Sequence, residues 1–477
     1  MRTDLTGRPA ANPRDGQAIA CFAHITDLHY ADVQSPARFE FFNHEYRDPR
    51  FRRLVPTQRA QEALTPHAME ALVDALNSLE GGPISGRSLD LVVNSGDSID
   101  NGQRNELAGF LGILSGGEVE PNSGGPSYEG VQSPDWPDDI YWKPEGGAGG
   151  VDLFTVDLGF PTLPGLLERA IAPFPAIGLR APWIVSHGNH EHLTQGVGII
   201  TAELEEGLVG GLKPLRLEDS ADRDGAVDAF TNQPQQFMAP PHARVTPDPT
   251  RARAAARDFE HARYPIPNRL GRAYREHDTE GVRLILLDTV CSAGGAEGCL
   301  DASQLGWLDQ RLADARAGNR LAVVVSHHGL ESLTNARGNP GTGPGRYADA
   351  AEVLEVMHRH PNLVLWLNGH IHANRVQPRP GPAGEGGFWE VTTSSLIDWP
   401  CQARVVELIE TADGGLTIAC TMLDHSGPAD PGSASTVLEL AALHRQLAGN
   451  SPGGGFGSDR PGTPLDRNVL LLLSRRR

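Results

Sequence analysis

Five short apolar runs in this chain each end in a cluster of polar side chains, and that recurrence constrains the fold more than any other feature. Ala20-Cys21-Phe22-Ala23-His24-Ile25 leads into Asp27-Leu28-His29, and Leu89-Asp90-Leu91-Val92-Val93 leads into Gly96-Asp97. Ala181-Pro182-Trp183-Ile184-Val185 leads into Ser186-His187-Gly188-Asn189-His190-Glu191-His192. Leu321 to Val325 leads into His327-His328, and Leu363 to Leu367 into Gly369-His370-Ile371-His372. Runs of this length, rich in β-branched residues, read as strands of a sheet covered on both faces. In open α/β sheets ligands sit beyond the carboxyl ends of the strands, so the polar residues are expected along one rim.

Between these strands the pattern predicts helices. Thr65 is a candidate N-cap with Pro66 at the first position, and Met69, Leu72, Val73, Leu76 and Leu79 supply one apolar face. Shorter helices are expected around Glu106 to Leu114 and Leu163 to Phe174. Asp301 caps another, with Gln304 three residues on and Gly318 as its stop. Tyr347 to His360, after a Gly/Pro loop at 338–346, and Ser435 to Leu447 read as two more. Further strands are expected at Val282 to Leu287, Gly387 to Thr393, Gln402 to Ile409 and Leu416 to Met422, the last two joined by the turn Asp413-Gly414-Gly415.

Two stretches do not fit this rhythm. Residues 115–150 are rich in Gly, Pro and Ser yet carry Tyr128, Trp136, Tyr141 and Trp142, which suggests an ordered flap near the site. Residues 203–270 are polar, with a helix expected only from Arg251 to Tyr264. The segment Arg38 to Arg59 mixes Phe39, Phe41, Phe42 and Tyr46 with several arginines and reads as a solvated loop packed by its own aromatics.

A formal charge of -19 argues against a nucleic-acid groove or an anionic membrane surface as partner, since both need dense Lys and Arg. A small anionic substrate remains open if a metal supplies the positive charge. The five cysteines are odd in number and widely spaced, which favours reduced thiols, including Cys291 and Cys299 around the Gly-rich loop 292–298. Met1 to Gln17 has no apolar core of a signal peptide, and no run approaches the roughly 18 residues that span a bilayer. A soluble, cytoplasmic protein is the expectation.

The rim candidates are Asp27, His29, Asp97, Asn189, His190, His327, His328, His370 and His372. Carboxylates and imidazoles suit Zn, Mn or Fe, and no cluster contains the cysteine of a structural zinc site. Asp27/His29 and His370/His372 are spaced i, i+2, so in extended backbone each pair would point one way. Two such pairs with Asp97 and Asn189 exceed what one ion can use, and a two-metal centre is the economical reading.

The ordered set Asp-x-His, Gly-Asp, Gly-Asn-His-Glu, His, Gly-His-x-His, spanning residues 27–372, resembles the calcineurin-like metallophosphoesterase superfamily. The resemblance implies an α/β fold, a four-layer α/β/β/α sandwich with long loop insertions, and two divalent or mixed-valence transition metal ions (Mn, Fe or Zn). It implies that Asp27, His29 and His372 hold one ion, that Asn189, His327 and His370 hold the other, and that Asp97 bridges them. His327 is preferred to His328 because the family's ligand immediately ends its strand. His190 would act on the leaving oxygen or the phosphoryl charge. Two ions about 3.5 Å apart acidify a bridging water and clamp the phosphoryl oxygens for in-line attack.

Departures from the family's branches narrow the expectation. Asn101 stands where Ser/Thr protein phosphatases carry a phosphate-binding Arg, and His187 where they carry another. Asp100 replaces the Tyr of purple acid phosphatases, whose first motif also lacks an equivalent of His29. The Asp-x-His start is more like phosphodiesterase and bacterial phosphohydrolase branches. The expected function is therefore hydrolysis of a small phosphorylated substrate, a diester before a monoester of a nucleotide or sugar. An inactive scaffold is the alternative of another class, disfavoured because His190 and all the implied ligands are present. His187 and His192 are candidates to line the substrate pocket. The expected organisation is a leader at 1–17, a catalytic domain at 18–425 with insertions at 115–150 and 203–270, and a C-terminal helix and Gly-rich tail at 426–477.

Overall fold

The computed structural model describes the chain except residues 8–10, 148–151, 219–220, 256–257, 260–273, 336–346, 383, 385 and 475–477. Its principal strands are β1 (Gln17–Ile25), β2 (Leu91–Asn94), β3 (Trp183–Val185), β4 (Arg275–Thr279), β5 (Val282–Leu286), β6 (Leu321–Val325), β7 (Leu363–Asn368), β8 (Arg375–Pro380), β9 (Gly387–Thr392), β10 (Gln402–Glu410), β11 (Leu416–Asp424) and β12 (Val469–Leu473). The first sheet runs β12-β11-β10-β1-β2-β3, and the second β4-β5-β6-β7-β9-β8. The strands that carry the polar clusters run parallel within their sheets: β1, β2 and β3 in one, and β6 and β7, with their parallel neighbours β5 and β9, in the other.

Alternation along each strand builds four layers. Phe22, Leu91, Val93 and Ile184 of the first sheet meet Leu284, Val323, Val325, Leu365 and Leu367 of the second. Their neighbours point outward: Ala23, Ile25 and Val92 pack under helices α1 (Thr65–Asn77) and α2 (Arg104–Ser115). Ile285, Ala322, Val324 and Trp366 pack under α3 (Ala302–Ala317) and α4 (Ala350–His358). With each buried large aliphatic worth about 1.5–3 kcal/mol, the core holds the strand ends in fixed register. The fold is the α/β/β/α sandwich expected from the sequence.

Element ends differ locally. α1 begins at Thr65 with Leu64 as its cap, so Pro66 sits one position later than expected. Asp301 does cap α3, accepting from the Gln304 N–H at 2.7 Å. Leu166–Ile171 is the only helical part of 163–174. Tyr347–Ala348 pairs with Leu300–Asp301 before α4 starts, and the Gly/Pro loop at 338–346 lies outside the described residues. The last helix, α5 (Val437–Gly449), starts where Thr436 and Glu439 form a capping box.

The two irregular stretches are packed. Trp142 is buried against Phe160 and, with Leu166, joins Leu440 and Leu443 of α5. The 203–270 stretch contains helices Ala202–Val209 and Ala226–Asn232, whose Leu204 and Phe230 bury Phe39, Phe42 and Phe51. The Arg38 to Arg59 segment is therefore not a solvated loop: its aromatics are shared with the second insertion. Of the helix expected from Arg251 to Tyr264, Arg251 ends a 3-10 turn, Ala252 to Ala255 are not helical, Asp258 and Phe259 are, and most of the remainder lies outside the described residues. The five cysteines form no disulfide. Among the described residues, no helix is long and apolar enough to cross a membrane.

Candidate metal centre

The polar clusters do converge beyond the carboxyl ends of the parallel strands. His372 Nε2 lies 3.2 Å from Asp27 Oδ1 and 3.3 Å from His29 Nε2. His327 Nε2 lies 3.0 Å from Asp97 Oδ2, and the same oxygen is 3.8 Å from His29 Nε2. Asp97 thus stands between two groups of side chains. Asp27, His29 and His372 form one set whose ligand atoms lie within 4.8 Å of one another; Asp27, Asp97 and His327 form a second, and His327, His328 and His370 a third. Asn189 joins through its neighbour, since the His190 N–H donates to Asp97 Oδ1 at 2.9 Å.

The convergence does not come from extended backbone, as the i, i+2 spacing suggested. Asp27, His29, Asp97, His370 and His372 all lie in the left-handed region, with φ between 50° and 70°. Each such residue costs on the order of 1 kcal/mol, and the surrounding packing must impose it. Two glycines make the approach possible. A Cβ on Gly369 would sit 2.1 Å from Thr26 Oγ1 and 2.3 Å from Asp27 Oδ2, and one on Gly188 would sit 2.2 Å from Asp97 Oδ1.

Carboxylates behind the imidazoles hold them in place. His29 Nδ1 donates to Asp100 Oδ1 at 3.0 Å, and His372 Nδ1 donates to Asp398 Oδ2 at 2.6 Å. With Nδ1 the donor, both Nε2 atoms present lone pairs to each other and to the Asp27 carboxylate, an arrangement that suits a cation between them. Asn189 tells the same way: Nδ2 donates to the Gly196 carbonyl at 2.9 Å, while buried Oδ1 has no partner among the described residues. The residues present fit a pair of divalent ions.

Of the two adjacent histidines, His328 has both nitrogens occupied, Nδ1 by Thr289 Oγ1 at 2.8 Å and Nε2 by the Ala296 carbonyl at 2.9 Å. His327 uses Nδ1 on the Ser95 carbonyl at 3.2 Å and turns Nε2 inward. His190 gives Nδ1 to the Asp100 carbonyl at 2.6 Å. Glu191 is a backbone clamp, its carboxylate accepting from the N–H groups of Gly188, Asp97 and Ser98 at 2.7, 3.0 and 2.6 Å. His187 and His192 turn to each other at 2.9 Å and against Phe259, rather than lining a pocket at the centre.

The charges within the set act on one another. Burial opposes the charged form of His327, but Asp97 and Asp27 outweigh it and lift it to about 9. Burial, aided by His327, pushes His370 down to about 3. Burial also takes His29 down to about 4. Burial opposes ionisation of Asp97, but His327 and His190 hold it well below the usual carboxylate range.

The supports of these carboxylates were not expected from the sequence. Arg38 Nη1 reaches Asp100 Oδ2 at 2.7 Å and Nη2 reaches Glu62 Oε2 at 2.7 Å; Arg59 Nε reaches Asp398 Oδ1 at 2.8 Å. Asp100 lies three residues after Asp97 in the same motif, a signal that could have flagged it; Asp398 has none.

The family model for calcineurin-like phosphoesterases matches residues 22–374. Among solved structures, a dimetal phosphatase from Danio rerio is 12% identical, with 86% of this chain and 97% of that chain covered and a TM-score of 0.39. A putative 5'-nucleotidase from Staphylococcus aureus, solved in complex with alpha-ketoglutarate, is 12% identical, with 90% of this chain and 58% of that chain covered and a TM-score of 0.32. No curated protein matches the chain.

Proposed function

The chain belongs to the calcineurin-like phosphoesterase family, and from that premise we propose that it hydrolyses phosphodiesters of small molecules with two transition metal ions, Mn, Fe or Zn. The observation that carries the reading is Asp97 Oδ2, set between His327 and His29 at 3.0 and 3.8 Å, as a carboxylate shared by two ion sites would be. Asp27, His29 and His372 would hold one ion, and Asn189, His327 and His370 the other. The occupied nitrogens of His328 support its neighbour as the ligand. Two ions, when bound, supply positive charge to the phosphoryl oxygens and acidify a water.

This chain's own residues then do three things. Asn189 contributes a neutral oxygen, which leaves the two sites less compensated and the phosphate better bound. His190, held at Nδ1 by the Asp100 carbonyl, is left with Nε2 to carry the proton that goes to the departing oxygen. Asp100 and Asp398 keep His29 and His372 in one tautomer and orientation.

A diester is favoured over a monoester by charge. Asn101, at the place of a phosphate-binding Arg, is turned away into structure: Nδ2 donates to the Ala37 carbonyl at 3.0 Å and Oδ1 accepts from Thr194 Oγ1 and the Gln195 N–H, both at 2.8 Å. With Asn101 so held, that position offers no cation to a phosphoryl oxygen, so a reacting group with one negative charge fits better than one with two.

The test compares bis(p-nitrophenyl) phosphate with p-nitrophenyl phosphate on chelator-treated protein with Mn added back. Mn-dependent preference for the diester is expected; preference for the monoester overturns the diester reading. Asn189→Ala and His190→Ala are both expected to abolish turnover, and unchanged rates in both would sink the assigned roles.

A further inference from the structure

Beside Asp398, the carboxylate that accepts from His372 Nδ1, lies a cavity of about 200 Å³ lined by Arg59, Arg460, Asp398, Tyr46, Ile140 and Phe154 among others. It is built by segments that the sandwich does not need. Tyr46 and Arg59 come from the segment after β1, Ile140 and Phe154 from the region of the first insertion, and Arg460 from the Gly-rich tail. The tail is brought there by specific contacts: Tyr46 Oη donates to the Pro452 carbonyl at 3.2 Å, and Trp399 packs edge-on against Phe456 at 4.5 Å. Gly453 adopts φ +71°, and a Cβ there would lie 2.2 Å from Tyr46 Oη, so the close seating depends on glycine.

The charge of this cavity runs against that of the chain. Two guanidiniums face one carboxylate, Asp398, which already accepts from His372. Arg59 has a second acid, Glu62 Oε1 at 3.5 Å. Among the described residues Arg460 pairs with Asp398 alone: its Nη1 stands 2.5 Å from Oδ2 but out of line for a hydrogen bond. Arg460 is thus the side chain with donors to spare, and its side chain keeps 22% of its exposure. Tyr46 and Phe154 beside it offer apolar surface.

We propose that this cavity is a substrate subsite that receives a second anionic group, phosphoryl or carboxyl, attached beyond the scissile phosphorus, with Arg460 as its principal contact. The substrate class is then phosphodiesters that carry a further anion on a compact organic scaffold. The inference rests on the phosphoesterase reading of the metal centre. It also gives the tail and the first insertion a common purpose.

The test is steady-state hydrolysis by the Mn-loaded full chain of thymidine 5′-(p-nitrophenyl phosphate) and its 3′-phosphorylated counterpart, which differ only in the second phosphate. KM about tenfold lower for the bisphosphorylated ester is expected, a gain typical of a charged hydrogen bond. Arg460→Gln should erase the difference and Arg460→Lys restore most of it. Equal KM values for the wild type overturn the proposal. So does an Arg460→Gln variant that slows both esters by the same factor, because that is what loss of support for Asp398 and His372 would do. If neither ester is turned over, the phosphoesterase reading fails, and thermal shift with thymidine 3′,5′-bisphosphate against thymidine then decides the subsite. A bisphosphate-specific shift lost in Arg460→Gln supports it, and no such shift overturns it.

Discussion

Asp100→Asn tests whether the carboxylate behind His29 sets the metal affinity. Asp100 accepts from His29 Nδ1 at 3.0 Å and from Arg38 Nη1 at 2.7 Å, so one substitution touches a ligand and a buried ion pair together. Asn keeps an acceptor oxygen but loses the charge that raises the basicity of His29. Such supports are worth about 10–100-fold in metal affinity, or roughly 1.4–2.8 kcal/mol. The stability cost is separate. Stranding a buried charge costs about 3–5 kcal/mol, but Arg38 retains Glu62 at 2.7 Å and Glu40 at 3.6 Å, so about 2 kcal/mol is expected. Glu62→Gln is the control, since it takes a carboxylate from the same Arg38 without touching His29. Burial lifts Glu62 to about 7, so the comparison belongs at pH 8, where it is ionised. Urea unfolding of both metal-free variants should show similar losses, while Mn titration should weaken only for Asp100→Asn. Equal weakening in both variants, or affinity within about twofold of wild type in Asp100→Asn, refutes the argument.

Other outcomes follow from the same geometry. Gly369→Ala places a methyl group against Thr26 and Asp27 and is expected to cost about 1–3 kcal/mol by overpacking and to abolish Mn-dependent turnover; normal Mn affinity would contradict it. Mn that binds the folded chain alone, added to chelator-treated protein at a hundredfold over Kd, should stabilise the fold by about 2.7 kcal/mol per site, read by unfolding at fixed pH. His67, stacked on Phe174 at 5.0 Å, is pushed by burial from 6.5 down to about 4. The folded chain then binds fewer protons than the unfolded chain in that window, so His67 contributes stability above pH 6.5 that is lost as pH falls toward 4. His67→Phe should flatten the stability profile there by about 3 kcal/mol, and an unchanged slope would show that another group controls it.

The strands were legible where burial is two-sided. Leu91–Asn94 and Leu321–Val325 are apolar on both faces because sheet and helices cover both, and such runs stand out against polar loops. The edges were not. Arg275–Thr279 and Arg375–Pro380 each pair with one strand only, and their half-exposed sequences REHDT and RVQPRP carry no periodic signal. Val469–Leu473 is apolar enough, but it forms the outer edge of the first sheet beside β11, and nothing local to residues 469–473 says which sheet will accept it. The irregular stretches were opaque for a related reason: Trp142 and Phe230 are ordered by partners far away in the chain, α5 in one case and the Phe39 to Phe51 segment in the other.

At the site, residue identity and order were readable, but the local geometry was not. Asp27, His29, His370 and His372 were expected to converge because alternate residues of a strand share a face. They converge instead because the chain leaves the strand and turns through left-handed positions that ordinary side chains avoid. Such a backbone persists only where its surroundings overdetermine it. Here Glu191 ties three backbone N–H groups of the Asp97 and Gly188 loops, and the His370 N–H is held by both Asp27 oxygens at 3.2 and 3.1 Å. The strain therefore marks the centre more sharply than the spacing does. It also explains why the supports are spread through the chain: Arg38, Arg59 and Asp398 lie in segments of no obvious pattern, and their value to the site comes entirely from where the sandwich brings them.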